Sequence, residues 1–144
     1  PERTWAGIIA QNYQPGDAVF YFHQSLTMFW YIPRDIPQYF LPQDETALNA
    51  GFNLTNESAA ALGLPYLAHP SDLAGRYRRV FAVYGRSPAT GKYQEDTFQQ
   101  LSQTYPEVWR YEMVKERDYL HVFMALFDMS RNYDPTIGPK LTNN

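Results

Sequence analysis

The chain has 144 residues, 44% hydrophobic, 17% aromatic and 19% charged, with no cysteine and a formal net charge of −3. That length suits one domain with a real core, and the aromatic-rich, charge-poor composition excludes intrinsic disorder over most of it. The missing Cys excludes disulfides, thiolate nucleophiles, iron–sulfur clusters and Cys-based zinc sites, while the acidic balance argues against nucleic-acid binding.

Residues 4–13 place Trp5, Ile8, Ile9 and Tyr13 at helical spacing, with Thr4 as N-cap and Pro15-Gly16 as a stop. Asp17 then leads into 18–22, an apolar β-prone run without alternation, as expected of a strand covered on both faces. After His23-Gln24-Ser25, the aromatic run 26–32 predicts one or two helical turns ending at Pro33, and 37–42 predicts a short strand that its prolines confine to an edge. The run 18–32 is interrupted by His23, Gln24, Ser25 and Thr27, so no stretch approaches the about 18–20 apolar residues of a membrane span.

Between 43 and 77 the pattern gives a helix over 57–62, with Asn56 as N-cap and Gly63 as stop, then a short turn capped by Ser71. The apolar run 79–84, closed by Gly85, is a second buried strand. Residues 92–105 form a helix, with Glu95 and Asp96 in its first turn, Phe98, Leu101 and Tyr105 on one face, and Pro106 after it. Two further strand-like runs, 108–114 and 119–127, flank the charged tip Lys115-Glu116-Arg117-Asp118 and predict an antiparallel hairpin. The order of elements predicts an α/β domain over 1–128, a three-layer Rossmann-like unit with a mixed, mostly parallel sheet and a C-terminal antiparallel hairpin, followed by a polar tail over 129–144.

Right-handed crossovers in such a fold bring the carboxyl ends of the strands, near Phe22 and Tyr84, to one rim. That rim nominates His23, Gln24, Ser25, Arg86 and Ser87 as candidate ligand-binding residues for an anionic or hydroxylated ligand, against the plainer reading that His23 and Ser25 cap the next element. The segment 85–92 imitates a phosphate-cradling loop but fails in detail. Five residues separate its glycines, Tyr93 stands where a Ser or Thr would reach Mg²⁺, and Pro88 deletes a backbone donor. No glycine-rich turn follows the first strand, and no Gly-x-Ser-x-Gly elbow surrounds Ser25.

His23, His69 and His121 are scattered, so no metal site is expected, and no cofactor is implied. Asp44-Glu45 and Glu95-Asp96 read as solvated charge rather than glycosidic acid–base pairs, because adjacent side chains diverge. Residues 1–75 hold 2 basic and 7 acidic side chains and residues 76–144 hold 10 and 8. The cluster Arg76, Arg78 and Arg79 is either a solvated approach to a strand or a contact for lipid phosphate. Asn53-Leu54-Thr55 and Asn56-Glu57-Ser58 are formal glycosylation sequons, meaningful only in a eukaryotic secreted protein.

Residues 5–20, from Trp5-Ala6-Gly7 through the Pro15-Gly16-Asp17 turn to Val19-Phe20, resemble the helix, turn and strand that open the soluble C-terminal domain of bacterial GT-C class membrane glycosyltransferases, the dolichyl-phosphate-mannose–protein mannosyltransferase-like group. Met28-Phe29-Trp30-Tyr31-Ile32-Pro33-Arg34-Asp35-Ile36-Pro37 is similar to the aromatic segment after the first strand of that domain, and Ala74-Gly75-Arg76-Tyr77-Arg78-Arg79-Val80-Phe81-Ala82-Val83 to its helix and Arg-led strand. The resemblance spans about residues 4–128 and rests on the order of the motifs more than on any one of them.

It implies a parent enzyme that transfers a sugar from a polyprenyl-phosphate donor. This chain would be a soluble appendage on the extracytoplasmic face of the membrane, in agreement with a start at Pro1, no signal peptide and no span. It also implies that the catalytic acids lie in membrane loops of the parent, so no catalytic residue is assigned to this chain. The implied partners are the membrane-embedded part of the same parent chain and a polyprenyl-phosphate sugar or acceptor. The implied role is accessory, covering the active site or recognising the acceptor. A free-standing α/β small-molecule-binding domain and a protein-interaction domain without catalysis are the alternatives.

Overall fold

Helix α1, Glu2–Asn12, turns Ala6 and Ile9 inward. It is joined to strand β1, Asp17–Tyr21, by a turn in which the Asp17 amide donates to the Gln14 carbonyl at 3.0 Å. Pro15 pre-sets the first central position and Gly16, at φ 95°, supplies the left-handed second one, the pattern of a type II turn. The computed structural model describes residues 2–49, 54–88, 90–117 and 120–137, without the side chains of Glu116 and Arg117. After β1 come α2 (Leu26–Tyr31), β2 (Gln38–Phe40), α3 (Glu45–Asn49), α4 (Asn56–Ala61), a 3₁₀ turn at Pro70–Leu73, β3 (Arg79–Arg86), α5 (Lys92–Thr104), β4 (Glu107–Arg117), β5 (Leu120–Asp128) and a 3₁₀ turn at Ser130–Asn132. Among the described residues no helix is long and apolar enough to cross a membrane.

The five strands form one mixed sheet in the order β2-β1-β3-β5-β4. β1 is parallel to both β2 and β3, while β3 with β5 and β5 with β4 are antiparallel. The expectation of a mostly parallel sheet is therefore corrected. β4 and β5 run for 11 and 9 residues against 5 and 3 for β1 and β2, so antiparallel pairing holds the larger share. The hairpin docks through β5 directly on β3, leaving β3 parallel to one neighbour and antiparallel to the other.

Alternation along the strands divides the core in two. Phe20, Phe22, Ala82, Tyr84, Phe123 and Phe127 meet Phe98 and Leu101 of α5 on one side. Val19, Tyr21, Phe81, Val83, Met124 and Leu126 meet Ala6 and Ile9 of α1, Met28 and Phe29 of α2 and Ala59 of α4 on the other. The Phe98 ring stacks on Tyr84 at 4.5 Å and meets Phe22 edge-on at 5.4 Å, so the aromatic content becomes an interlocked ring cluster over the strand ends. In α2 the helical period splits the aromatic run. Met28 and Phe29 are core, whereas Trp30 and Tyr31 face outward beneath the Arg34 and Arg3 guanidiniums at 4.8 and 5.1 Å. Ile32 is already extended because Pro33 disfavours helix in the residue before it.

Three smaller expectations also change. The α4 N-cap is Thr55, whose hydroxyl accepts from the Ser58 amide, while Asn56 binds the Gln43 backbone with both ends of its amide, at 3.1 and 2.9 Å. Asn56 of the second sequon is thus tied to the Gln43 backbone; Asn53 of the first lies outside the described residues. The turn at Pro70–Leu73 is entered from His69 rather than capped by Ser71. The expected tail is fastened to the domain over 129–137: Met129 is buried, Asn132 donates to the Tyr105 hydroxyl, and Tyr133 lies under Arg78. Residues 138–144 lie outside the described residues.

The two lateral strands are finished differently. Alongside β2, the Phe40 amide donates to the Pro65 carbonyl and the Leu67 amide to the Phe40 carbonyl. β4 departs from regular register between Glu107 and Trp109, between Glu112 and Val114 and between Val114 and Arg117, and carries Glu107, Arg110, Glu112 and Lys115.

Candidate functional site

A cleft of about 470 Å³ opens where the carboxyl ends of β1, β2 and β3 converge, within the size range of small-molecule sites. β1 delivers Phe22, His23 and Gln24 to it, the segment after β2 gives Gln43, and the end of β3 gives Gly85 and Ser87. Thr90 and Gln94 enter from the start of α5, and Leu120 and Val122 from the first residues of β5. Among the described residues, none that lines it bears a Lys, Arg, Asp or Glu side chain.

Among the described residues, two polar atoms in this lining are buried without a protein partner, His23 Nδ1 and Gln94 Oε1. Buried polar atoms are ordinarily satisfied, so each orphan marks a place where something else supplies the partner. The His23 ring lies against the glycine of β3, where a Cβ on Gly85 would stand 3.4 Å from Cε1. Burial lowers the His23 imidazole from 6.5 to about 4, so it is neutral at physiological pH. Gln94 is 3% exposed and its amide orientation is fixed by a relay. Gln43 Nε2 donates to the Leu41 carbonyl at 2.8 Å, which leaves Gln43 Oε1 to accept from Gln94 Nε2 at 3.2 Å. Turning either amide over would set like against like, so Gln94 presents its oxygen.

Of the five rim residues, His23, Gln24 and Ser87 line this cleft. Gln24 does so with its amide already committed, accepting from the Leu54 amide at 2.7 Å and donating to the Leu54 carbonyl and the Tyr66 hydroxyl. Ser25 lies instead in a neighbouring recess of about 250 Å³ with Trp5 and Thr27, at the N-cap of α2 but without a side-chain capping bond. Arg86 is outside the cleft, its exposed guanidinium drawn towards the Tyr84 hydroxyl and Glu95, 4.0 Å away. Thr90 lies in the segment that imitates a phosphate-cradling loop, whereas Gln43 and Gln94 belong to no motif and no local signal in the sequence singles them out.

The paired acids acquire a structural role at this rim. Asp44 Oδ1 accepts from the Ala47 amide at 3.0 Å, capping α3, and Oδ2 accepts from the Tyr93 amide at 3.4 Å in the first turn of α5. The phosphate-like loop over 85–92 thus meets a carboxylate at the helix end where a phosphate would sit. Gly91 is what admits it, since a Cβ there would overlap the Asp44 carboxylate. Gly91→Ala is expected to cost about 2 kcal/mol in urea unfolding by displacing this shared cap. The loss should be largely relieved when Asp44→Ala is added, because that removes the overlapping group.

The remaining charged groups serve the scaffold. Arg79 pairs with Asp17, Arg78 stacks on Tyr133 at 5.0 Å, and Arg76 lies near the hydrogen-bonded hydroxyls of Tyr39 and Tyr77, while Arg78 and Arg79 together line a recess that also holds Asp17 and Asp128. His121 is paired with Glu112 at 2.5 Å, and His69 stands apart before its 3₁₀ turn. Among the described residues no group of three or more His, Asp and Glu side chains comes together. No family model, curated protein or solved structure matches this chain.

Proposed function

We propose that this chain is a ligand-binding α/β domain, accessory to an enzyme that transfers a sugar from a polyprenyl-phosphate donor at the extracytoplasmic face of the membrane. The observation that carries its binding role is the strand-end cleft with two buried, unpartnered polar atoms. The link to sugar transfer is supported by the sequence resemblance. The succession of α1, the Pro15-Gly16-Asp17 turn, β1, the aromatic α2, the Arg-led β3, α5 and the hairpin follows the order of the motifs that carry it. In this reading the crossovers are right-handed, the domain is a Rossmann-like three-layer unit, and it works with the membrane-embedded part of the same parent chain. It supplies no catalytic group; the cleft recognises one of the reactants, with Trp30 and Tyr31 as an exposed contact surface.

A second reading, a free-standing binding domain, is favoured by the lining of the cleft, which this domain supplies from β1, the segment after β2, β3, α5 and β5. Sugar transfer by the parent enzyme with and without this domain separates the two. Reduced transfer or altered acceptor choice on deletion is the expected result. Unchanged activity and acceptor choice would remove the accessory role, as would a gene that encodes this stretch with no hydrophobic spans.

A further inference from the structure

Resting on the reading of the strand-end cleft as a binding site, we propose that its ligand is an uncharged, hydroxyl-bearing small molecule and that phosphates and carboxylates are turned away. Within the sugar-transfer reading this places the cleft on the side of a neutral acceptor rather than of the polyprenyl-phosphate donor.

The orphaned atoms set the first requirement. Gln94 Oε1 is held as an acceptor by the Gln43 relay, so the ligand must bring a donor to it. His23 Nδ1 is an acceptor or a donor according to tautomer, and a hydroxyl answers either. An anion such as phosphate offers mainly acceptors and would face Gln94 Oε1 with like against like. Satisfying both atoms returns the desolvation that burying them costs.

Charge sets the second requirement. An anion entering this cleft would leave water and find no cation among the described lining residues. The nearby amino end of α5, which would otherwise attract it, already holds the Asp44 carboxylate. The cations closest in sequence are drawn off, Arg86 towards Glu95 and Lys92 onto Asp96 at 2.7 Å. His23 adds no charge at physiological pH. The third requirement is apolar surface. Phe22, Ala47, Leu120 and Val122 leave part of the wall without hydrogen-bonding groups, suited to the C–H faces of a polyol ring.

The test is titration of the isotope-labelled chain with mannose, glucose and N-acetylglucosamine, with the 6-phosphate of each, and with inorganic phosphate, followed by backbone amide shifts. A library of uncharged heterocyclic fragments is screened in parallel. The expected result is that a neutral sugar moves the amides of Thr90, Gln94 and Val122, and that its 6-phosphate binds about tenfold more weakly or not at all. Gln94→Met, which keeps the side-chain volume and deletes the acceptor, should weaken the sugar about fivefold. Val122→Trp, which fills the cleft, should abolish the shifts, and amide spectra of both variants report whether they are folded. Equal or tighter binding of a phosphate at these amides overturns the proposal while leaving the cleft a binding site. So does binding of a hydroxyl-free fragment when no sugar binds. If nothing moves these amides, both the proposal and the binding reading fall and the cleft holds water alone.

Discussion

Asp17→Ala should cost about 3 kcal/mol in urea unfolding, the largest loss expected from any single charged side chain here. Asp17 is 1% exposed at the head of β1 and accepts from Arg79 Nε at 2.9 Å, from Arg79 Nη2 at 2.6 Å and from the Gln14 amide at 2.8 Å. One carboxylate therefore closes the turn after α1 and ties β1 to β3 at the first residue of their parallel register. Removing it strands the Gln14 amide and leaves Arg79 with the Asn12 carbonyl, at 2.9 Å, the Phe81 ring and the more distant Asp128 carboxylate. The Arg79 side chain is 23% exposed, so water recovers part of the loss, which is why the lower end of the range for a broken buried pair is expected. Asp17→Leu combined with Arg79→Met should be less damaging than Asp17→Ala alone, since no unpaired charge remains. A loss below about 1 kcal/mol for Asp17→Ala would reduce the pair to a surface contact.

The second large effect is a pH dependence centred on His23. Its folded pKa, about 4, lies below the unfolded value of 6.5. Above pH 6.5 both states hold it neutral and the domain has its full stability. As pH falls from 6.5 towards 4, the unfolded chain takes up a proton that the folded one refuses, and each unit costs about 1.4 kcal/mol. About 3 kcal/mol should be gone by pH 4. His23→Asn keeps a polar side chain at the position but cannot titrate. The difference between its unfolding profile and that of the parent chain isolates the slope, and equal slopes from pH 6.5 to 4 would show that the imidazole is solvated. Asp128 and Asp134, whose carboxylates accept hydrogen bonds from Ser130 and Thr136 and are lowered below 3.8, add a loss of their own from about pH 5 downward, which the comparison with His23→Asn subtracts.

The place of the candidate site was legible in the sequence because it follows from chain direction. Once 18–22 and 79–84 are read as parallel buried strands, their carboxyl ends must share a rim, and His23 and Ser87 lie there. What escaped depends on contacts between distant segments. Asp44 is a loop acid by its neighbours alone, and only the approach of α5 makes it a shared cap. Gln94 looks like helix surface until Gln43 fixes its amide and leaves its oxygen bare. Arg86 has the right position along β3, but Glu95, one helical turn into α5, draws it aside. The parallel share of the sheet was overstated because a hairpin is encoded locally, by its two runs and tip, while the strand it docks against is not. β5 meets β3 edge to edge, from Arg79 opposite Asp128 to Arg86 opposite His121, through backbone groups that every residue carries.

The finish of the two lateral strands bears on how the molecule behaves when crowded. A bare strand margin is an invitation to a neighbouring copy, and growth of that kind leads to fibrils. Here one margin is met at Phe40 by the Pro65–Leu67 stretch of the same chain, and the other breaks register three times and is studded with charge of both signs. Self-association at high concentration is then expected to proceed through exposed apolar side chains, among them Trp30, Tyr31, Leu62 and Val108, rather than through the backbone.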